Sequence, residues 1–295
     1  MLSLAQSSNS IFCLEWIPSE SGPKVLQYKK NKISFNSVTY KNFLTSILSD
    51  FSLGSSNESK ALTLSLDIQN IGLASFKYDN ALPFKDYVKW YQEKVLGSHI
   101  MNNYDVYYYK LYDVKNIAMV FYINKGMKKN ILESCDKNNL ELKHLGIDIF
   151  SANISLNQIY KPKKISSHIL WKVDKNNIHY MTYFKDNNLT HYMKIRASKD
   201  IVPLEYIGSE ENQKKIILFI TSLFNNKKKL NPPTNNIYIY QTKSDLSFIK
   251  KIIKKYKYIK LMDIGLKFLD VNRKNTNYSI IGFNENGNSL KGIDV

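Results

Sequence analysis

The chemistry this chain could perform rests on its five histidines, two cysteines and a few serines and aspartates. His99, His144, His168, His179 and His191 contain no i,i+4 pair with a carboxylate between, the spacing that sets two imidazoles on one helix face around zinc. His179 and His191 fall in adjacent strand-like runs and read as cross-strand neighbours, a hydrogen-bonded structural pair without a third metal ligand. Ser151 and Ser209 lack the strand–turn–helix setting of a nucleophile elbow. Asp263 beside Gly265 forms a D-x-G arrangement late in the chain and reads as a helix-start aspartate. Trp171, Tyr180 and Tyr183 have the chemistry to stack on unpaired bases, although aromatics in strands are mostly core. Cys13 and Cys135 sit in apolar patterns without metal or redox spacing, which predicts two buried, reduced thiols. No catalytic residue and no metal ligand is expected.

The elements that must position these residues come in two similar halves. MLSLAQSSNSIFCLEW reads as a strand on Leu2 and Leu4, a polar turn from Gln6 to Ser10, and a second strand. In that strand Phe12, Leu14 and Trp16 alternate with Cys13 and Glu15, the period of a half-buried strand. Lys24–Tyr28 and Lys32–Phe35 continue the meander. A comparable meander returns at Ile169–Arg196, where ILWKV, IHYMTYF and LTHYMKIR are separated by the turn-formers Asp174–Asn177 and Lys185–Asn188. Each meander leads to a helix–strand pattern, and together they predict an internally duplicated α/β chain.

In the first half, Tyr40–Phe51 places Phe43, Leu44, Ile47, Leu48 and Phe51 on one helical face. Leu62, Leu64 and Leu66 form a strand and Gly72–Tyr78 another. Pro83 starts a helix that Gly97 closes. A β-β-α-β unit follows: strands Val106–Leu111 and Ile117–Ile123, a helix over Met127–Asn138 and a strand over Leu140–Ile147. Ile117–Ile123, apolar on both faces, reads as a central strand. Lys161–Lys164 with Pro162 marks the connection between halves. In the second half, Ser209 caps a helix with Glu210 and Glu211 in its first turn and Ile216, Ile217, Ile220, Leu223 and Phe224 as its buried stripe. A short strand at Ile237–Tyr240, a helix capped by Ser244 and a last strand or buried segment at Tyr278–Phe283 complete the reading.

Composition sets limits. Hydrophobic residues at 43% and aromatics at 13% support a buried core, and 295 residues suit two lobes. The longest apolar run, Ile117–Ile123, is too short to span a bilayer, and no basic stretch precedes an apolar one at the N-terminus. A soluble, cytoplasmic protein is expected. Forty-two lysines and arginines against 25 acids give +17, which raises nucleic acid or an anionic membrane face as a partner. Yet Arg196 and Arg273 are the only arginines. Arginine is the residue preferred for bidentate contacts to bases and phosphate. The dispersed lysines therefore read as a solvated surface, and no nucleic-acid partner is expected.

The order of elements resembles the actin-like proteins of the PilM type, which serve type IV pilus assembly and are related to FtsA and the cytoplasmic part of GspL. That family opens with a strand, a phosphate loop of the form D-x-G-S-S-S and a strand running to a Glu. LSLAQSSNSIFCLEW lies on this pattern without a gap, with Ser7–Ser10 on the loop and Glu15 on the strand Glu. HILWKVDKNNIHYMTYFKDNNL resembles the second phosphate hairpin, and NNIYIYQTKSDLSFIKKIIKK the adenosine-loop strand and helix. The resemblance implies a duplicated actin-like (ribonuclease H-like) fold of two lobes. Residues 1–71 would begin the first subdomain, 72–148 form an inserted β-β-α-β subdomain, 149–164 connect the lobes, and 165–295 form the second lobe.

Departures from the family pattern bear on activity. Actin-like proteins bring backbone amides to nucleotide phosphates through Gly-containing turns and orient Mg²⁺ with a carboxylate. Here Ala5 stands where the Asp is expected, Ser7 where the Gly is, with Ser8, Asn9 and Ser10 following. The second turn has Asp174, then Asn176 and Asn177 without a glycine. The adenosine loop has Gln241 and Thr242 in place of glycines. The expected function is a pseudo-ATPase scaffold, binding neither ATP nor Mg²⁺, of a pilus-assembly or type II secretion-like machine. By the same resemblance it would dock a cytoplasmic segment of an inner-membrane partner in a groove carrying Leu64, Leu66, Phe76, Tyr78, Tyr107 and Tyr109. Peripheral association with the inner face of the membrane would follow. Two alternatives stay open: an active ATP-binding actin-like protein, and a basic nucleic-acid-binding protein.

Overall fold

A computed structural model describes residues 2–7, 10–17, 24–32, 42, 44–49, 60–79, 81–160, 167–174, 177–197, 201–225, 233–234, 236–240 and 260–263. They fall into two compact units, the described residues of one lying within Met1–Lys110 and Ala118–Gln158, those of the other within Leu111–Ile117 and Ile159–Ile280.

The first unit begins with β1 (Leu2–Ser7), β2 (Ser10–Ile17) and β3 (Lys24–Lys32), an antiparallel meander. β4 (Lys60–Leu66) lies parallel to β1 on its other side. β1 is covered on both faces: Leu2, Ser3, Leu4, Ala5 and Gln6 are all buried. β2 is likewise more buried than simple alternation predicts, since Ile11, Cys13, Leu14 and Trp16 are all inside. Polar groups buried this way need partners. Ser3 Oγ lies 2.8 Å from Thr63 Oγ1 and accepts from Trp16 Nε1 at 2.8 Å. The helix α1, residues 44–49, buries Leu44, Ile47 and Leu48 as its stripe predicts, with Asn42 and Ser46 exposed.

Residues after β4 build a second sheet. β5 (Gly72–Lys77) leads to α2 (Phe84–Tyr91), a π turn (Gln92–Leu96) and α3 (Gly97–Asn103). β6 (Tyr104–Lys110) and β7 (Ile117–Asn124) then pair antiparallel. The strand order is β5-β7-β6, so the doubly apolar β7 is central, as predicted. Phe76, Tyr108, Ala118 and Val120 meet Val88 and Tyr91 of α2 in the core of this insert. Gly97, at φ 70°, caps the run that begins with α2, as predicted, and α3 starts directly from it.

α4 (Lys125–Lys137) starts at Asn124, whose side chain accepts from the Met127 N–H at 3.0 Å. It crosses back to β8 (Leu140–Ile147), which pairs parallel with β4. This corrects the sequence reading twice. The expected β-β-α-β unit does not close on itself, because its last strand completes the first sheet in the order β3-β2-β1-β4-β8. The stretch expected as a connection from 149 contains α5 (Asp148–Tyr160), whose first two turns bury Ile149, Phe150, Ala152, Asn153 and Leu156. A helix buried on most sides shows no 3.6-residue stripe to read.

Cys13 and Cys135 are both buried and unbridged. Burial pushes the Cys135 thiol up to about 11. Neither is expected to react with a thiol reagent at neutral pH until denaturant is added, because the thiolate is the nucleophile. A stoichiometric reaction of the native protein within minutes would refute this.

The second unit repeats the plan. β9 (Ser167–Val173), β10 (Ile178–Lys185) and β11 (Asn188–Ala197) form an antiparallel meander. β12 (Ile201–Ile207) extends it as an edge strand. α6 (Glu210–Phe224) then crosses to β13 (Asn236–Tyr240), parallel to β9, with β14 (Lys260–Asp263) parallel beside it. The order is β12-β11-β10-β9-β13-β14. Without β12 it matches the first sheet strand for strand. The turn between β10 and β11 has positive φ at both Asp186 and Asn187, 49° and 65°, the hairpin turn that suits strand twist. β12 is absent from the sequence reading because Pro203 argues against a strand. It is tolerated at an edge, next to a register shift at Lys194/Ile195.

The core of this unit packs Ile169, Trp171, Val173, Met181, Met193 and Ile195 against Ile216, Phe219, Ile220 and Leu223 of α6. Ser209 caps α6 as predicted, accepting from the Asn212 N–H at 3.4 Å, with Glu210 and Glu211 in the first turn. Asp263 is the last residue of β14, paired with Ile239, and the residues after it, where the expected helix would start, lie outside the described residues. The expected Ser244 helix and the strand at Tyr278–Phe283 lie outside the described residues.

Candidate functional site

In sheets with parallel strands, ligands meet the carboxyl ends, where loops leave the sheet and backbone groups are open. In the first unit three buried polar side chains gather there. Gln6 lies near the end of β1, Asp67 follows β4 and Asp148 follows β8. Gln6 Oε1 accepts from the Asp67 N–H at 3.2 Å. Asp67 Oδ1 accepts from the Gln69 N–H at 2.9 Å and caps a short 3₁₀ turn, Ile68–Asn70. Asp148 Oδ1 accepts from the Ile68 N–H at 3.3 Å. Each acid is thus matched to a backbone donor, the partner that a buried polar group needs. Among the described residues, no cluster of three or more His, Cys, Asp or Glu is placed to hold a metal. Sequence reasoning missed this network. Its signal was present as the polar residue with which each strand pattern closes: Gln6 in LSLAQ, Asp67 in LTLSLD and Asp148 in HLGID.

Ser7 of β1 pairs with Ser10 of β2, and Ser8 and Asn9 between them lie outside the described residues. Ala5 is wholly buried within β1, opposite Phe12 on one side and Ser65 on the other. It presents a methyl group at the position where the family resemblance places an Asp.

The β9–β10 turn belongs to the second unit. The Asp174 N–H donates to the Ile178 carbonyl at 2.8 Å, and Asp174 is buried. Asn177 has φ 55°, the left-handed conformation that glycine usually supplies and asparagine tolerates best among the rest. Asn176, Gln241 and Thr242 lie outside the described residues.

Other expected sites are redistributed. His179 and His191 are not cross-strand neighbours: His179 faces Ile195 and His191 faces Tyr183. Each has separate partners, since Trp171 Nε1 donates to His179 Nδ1 at 3.0 Å and Asn212 Nδ2 donates to His191 Nε2 at 2.8 Å. Leu64 and Leu66 cannot line a groove, because β4 is an interior strand and both are buried in its core. Phe76 is buried in the insert core, stacked on Tyr91 at 4.6 Å. Tyr78, Tyr107 and Tyr109 remain partly exposed. Tyr109 lies 5.4 Å from the Phe150 ring of α5, at the seam between the insert sheet and the first subdomain. Tyr107 stands on the same face of β6, where its hydroxyl accepts from Lys128 Nζ at 3.3 Å.

The two five-stranded arrangements, each a meander followed by parallel strands, decide the fold, and a solved structure agrees. One chain of the "PilM-PilN type IV pilus biogenesis complex" superposes with a TM-score of 0.57, covering 93% of this chain and 92% of that one at 10% identity. The fold is actin-like. Two further actin-like matches are weaker. The cytoplasmic domain of EpsL, an inner-membrane component of the type II secretion system of Vibrio cholerae, has a TM-score of 0.46 at 9% identity, covering 94% of this chain and 96% of that one. The Aquifex aeolicus Ppx/GppA family member has a TM-score of 0.39 at 10% identity, covering 99% and 94%. No family model matches the sequence, and no curated relative matches it. Among the described residues, no helix of this actin-like chain is long and apolar enough to cross a membrane.

Proposed function

We propose that this chain is a non-catalytic actin-like scaffold of a type IV pilus assembly or type II secretion-like machine. In this reading it docks a cytoplasmic segment of an inner-membrane partner from the cytoplasmic side. The observation that carries the reading is the near full-length likeness to a chain of the PilM–PilN complex. The buried methyl of Ala5 and the absence of glycine from Asp174–Asn177 support a site that does not turn over ATP. The docking surface is assigned to the seam beside α5, with Tyr107 and Tyr109 as its contacts, and Tyr78 nearer the α2 side.

The full chain, immobilised over detergent-solubilised inner membrane, is expected to retain a membrane-anchored pilus or secretion component. Tyr107→Ala, which leaves the Phe150 contact in place, is expected to weaken that retention at least roughly tenfold, as loss of an interface aromatic does. Calorimetry with millimolar Mg-ATP is expected to show no binding heat. Recovery of no such component sinks the scaffold reading. Saturable Mg-ATP heat with hydrolysis replaces it with the active actin-like alternative.

A further inference from the structure

The second unit contains a pocket of about 320 Å³ at the end of the sheet away from the Asp174–Asn177 turn, between the β10–β11 end and the first turns of α6. That volume is at the lower end of small-ligand sites, which run from roughly 300 to 1,000 Å³. Its floor is built before any ligand arrives. Asn212 Nδ2 donates to His191 Nε2 at 2.8 Å, which leaves the imidazole proton on Nδ1. Nδ1 then donates to Thr190 Oγ1 at 2.7 Å, and Thr190 Oγ1 donates to the Tyr183 carbonyl at 2.9 Å. Gly208, at φ 153°, lets this assembly close up: a Cβ there would stand 2.3 Å from His191 Cδ2 and 2.6 Å from Tyr206 Oη.

The rim carries the charge. Two lysines, Lys185 and Lys215, line the pocket against one acid, Asp113. Lys185 is paired with Asp113, and Lys215 with Glu211 at 2.6 Å. The Lys215 and Glu211 side chains are 60% and 79% exposed, so their pair contributes little and an arriving anion can take the place of Glu211. The Asn212 amide, with one N–H on His191, has a second to offer. Tyr183 and the His191 ring supply flat walls.

We propose that this pocket binds a small oxyanion-bearing molecule, a carboxylate or a phosphate ester, through Lys215, Lys185 and the Asn212 amide. The head group replaces Glu211 on Lys215, while the neutral His191–Thr190 chain holds Asn212 in position. The site lies at the other end of its sheet from the Asp174–Asn177 turn and does not depend on the scaffold reading.

The test titrates the full chain with inorganic phosphate and, in a second arm, with benzoate, at constant ionic strength held by sodium chloride. Binding is followed by the side-chain amide resonances of Asn212. Saturation by phosphate alone or by benzoate alone identifies the head group, and either supports the proposal. Lys215→Gln is expected to weaken the responding probe at least roughly tenfold, the scale of a charge-assisted hydrogen bond. Glu211→Gln, which removes the competing anion, is expected to tighten it. Both changes lie on an exposed helix face and leave the core intact. A saturable shift in neither arm, or equal affinity in wild type and Lys215→Gln, overturns the proposal.

Discussion

Acidification from pH 7 to pH 5 is expected to weaken the second unit by several kcal/mol, enough to approach its unfolding. His168, His179 and His191 are all buried, and burial pushes each imidazole down to about 4. In the unfolded chain they titrate near 6.5, so the folded state binds fewer protons between these values. The stability they allow is fully present above about pH 6.5 and is lost as pH falls toward 4. Each histidine contributes a slope of about 1.4 kcal/mol per pH unit inside that window, and three give about 4. A domain holds only about 5–15 kcal/mol in total. Glu205, whose carboxyl is lifted by burial, works in the opposite direction, but it is one group against three. Urea midpoints measured from pH 7 to pH 4 check this. His168→Phe, which keeps the stack on Phe184, is expected to remove about a third of the slope. A flat profile across that range contradicts the buried neutral histidines.

Trp171→Ala is expected to cost about 3–5 kcal/mol, the range for truncating a large buried aromatic. The side chain is wholly buried at the centre of the β9–α6 core, and its indole N–H satisfies His179 Nδ1. Truncation leaves both a cavity and a buried acceptor without its donor, and the two losses add. Trp171→Phe keeps most of the volume and loses the hydrogen bond, so it isolates the smaller part. Denaturant midpoints of the two variants separate the terms. A loss near zero for Trp171→Ala would mean that α6 does not seat on β9 as described.

Patterns local in sequence carried most of the architecture. The two meanders, the doubly apolar β7, the described part of the α1 stripe and the Ser209 cap are each decided within a dozen residues, and each stands in the structure. What failed depended on distant partners. β8 reads as a neighbour of the insert strands by proximity along the chain, yet its register is set by β4, with Leu62 opposite Leu142. α5 is hidden because a helix buried on several sides carries no polar face. The proposed histidine pair failed on register: a four-residue separation along β10 places His179 and His191 beyond reach of one another. The polar network at Gln6, Asp67 and Asp148 joins three strands spread over much of the first unit, and no spacing rule connects them. Leu64 and Leu66 show the same limit from the other side. Alternation marks a strand, but only neighbouring strands decide whether it lies at an edge or inside.

The insert enters and leaves the first subdomain through one doorway. Its first strand begins at Gly72 and its last ends at Asn124, and these ends touch: a Cβ on Gly72 would fall 2.7 Å from Tyr122 Cδ2. β8 belongs to the first sheet, and with its crossover helix α4 it stays behind. A module with adjoining termini can be cut out or exchanged in evolution without re-threading its host. The primary sheet can therefore stay fixed while the graft changes, so lineages of this fold are free to acquire new partners at one surface and keep their shared frame.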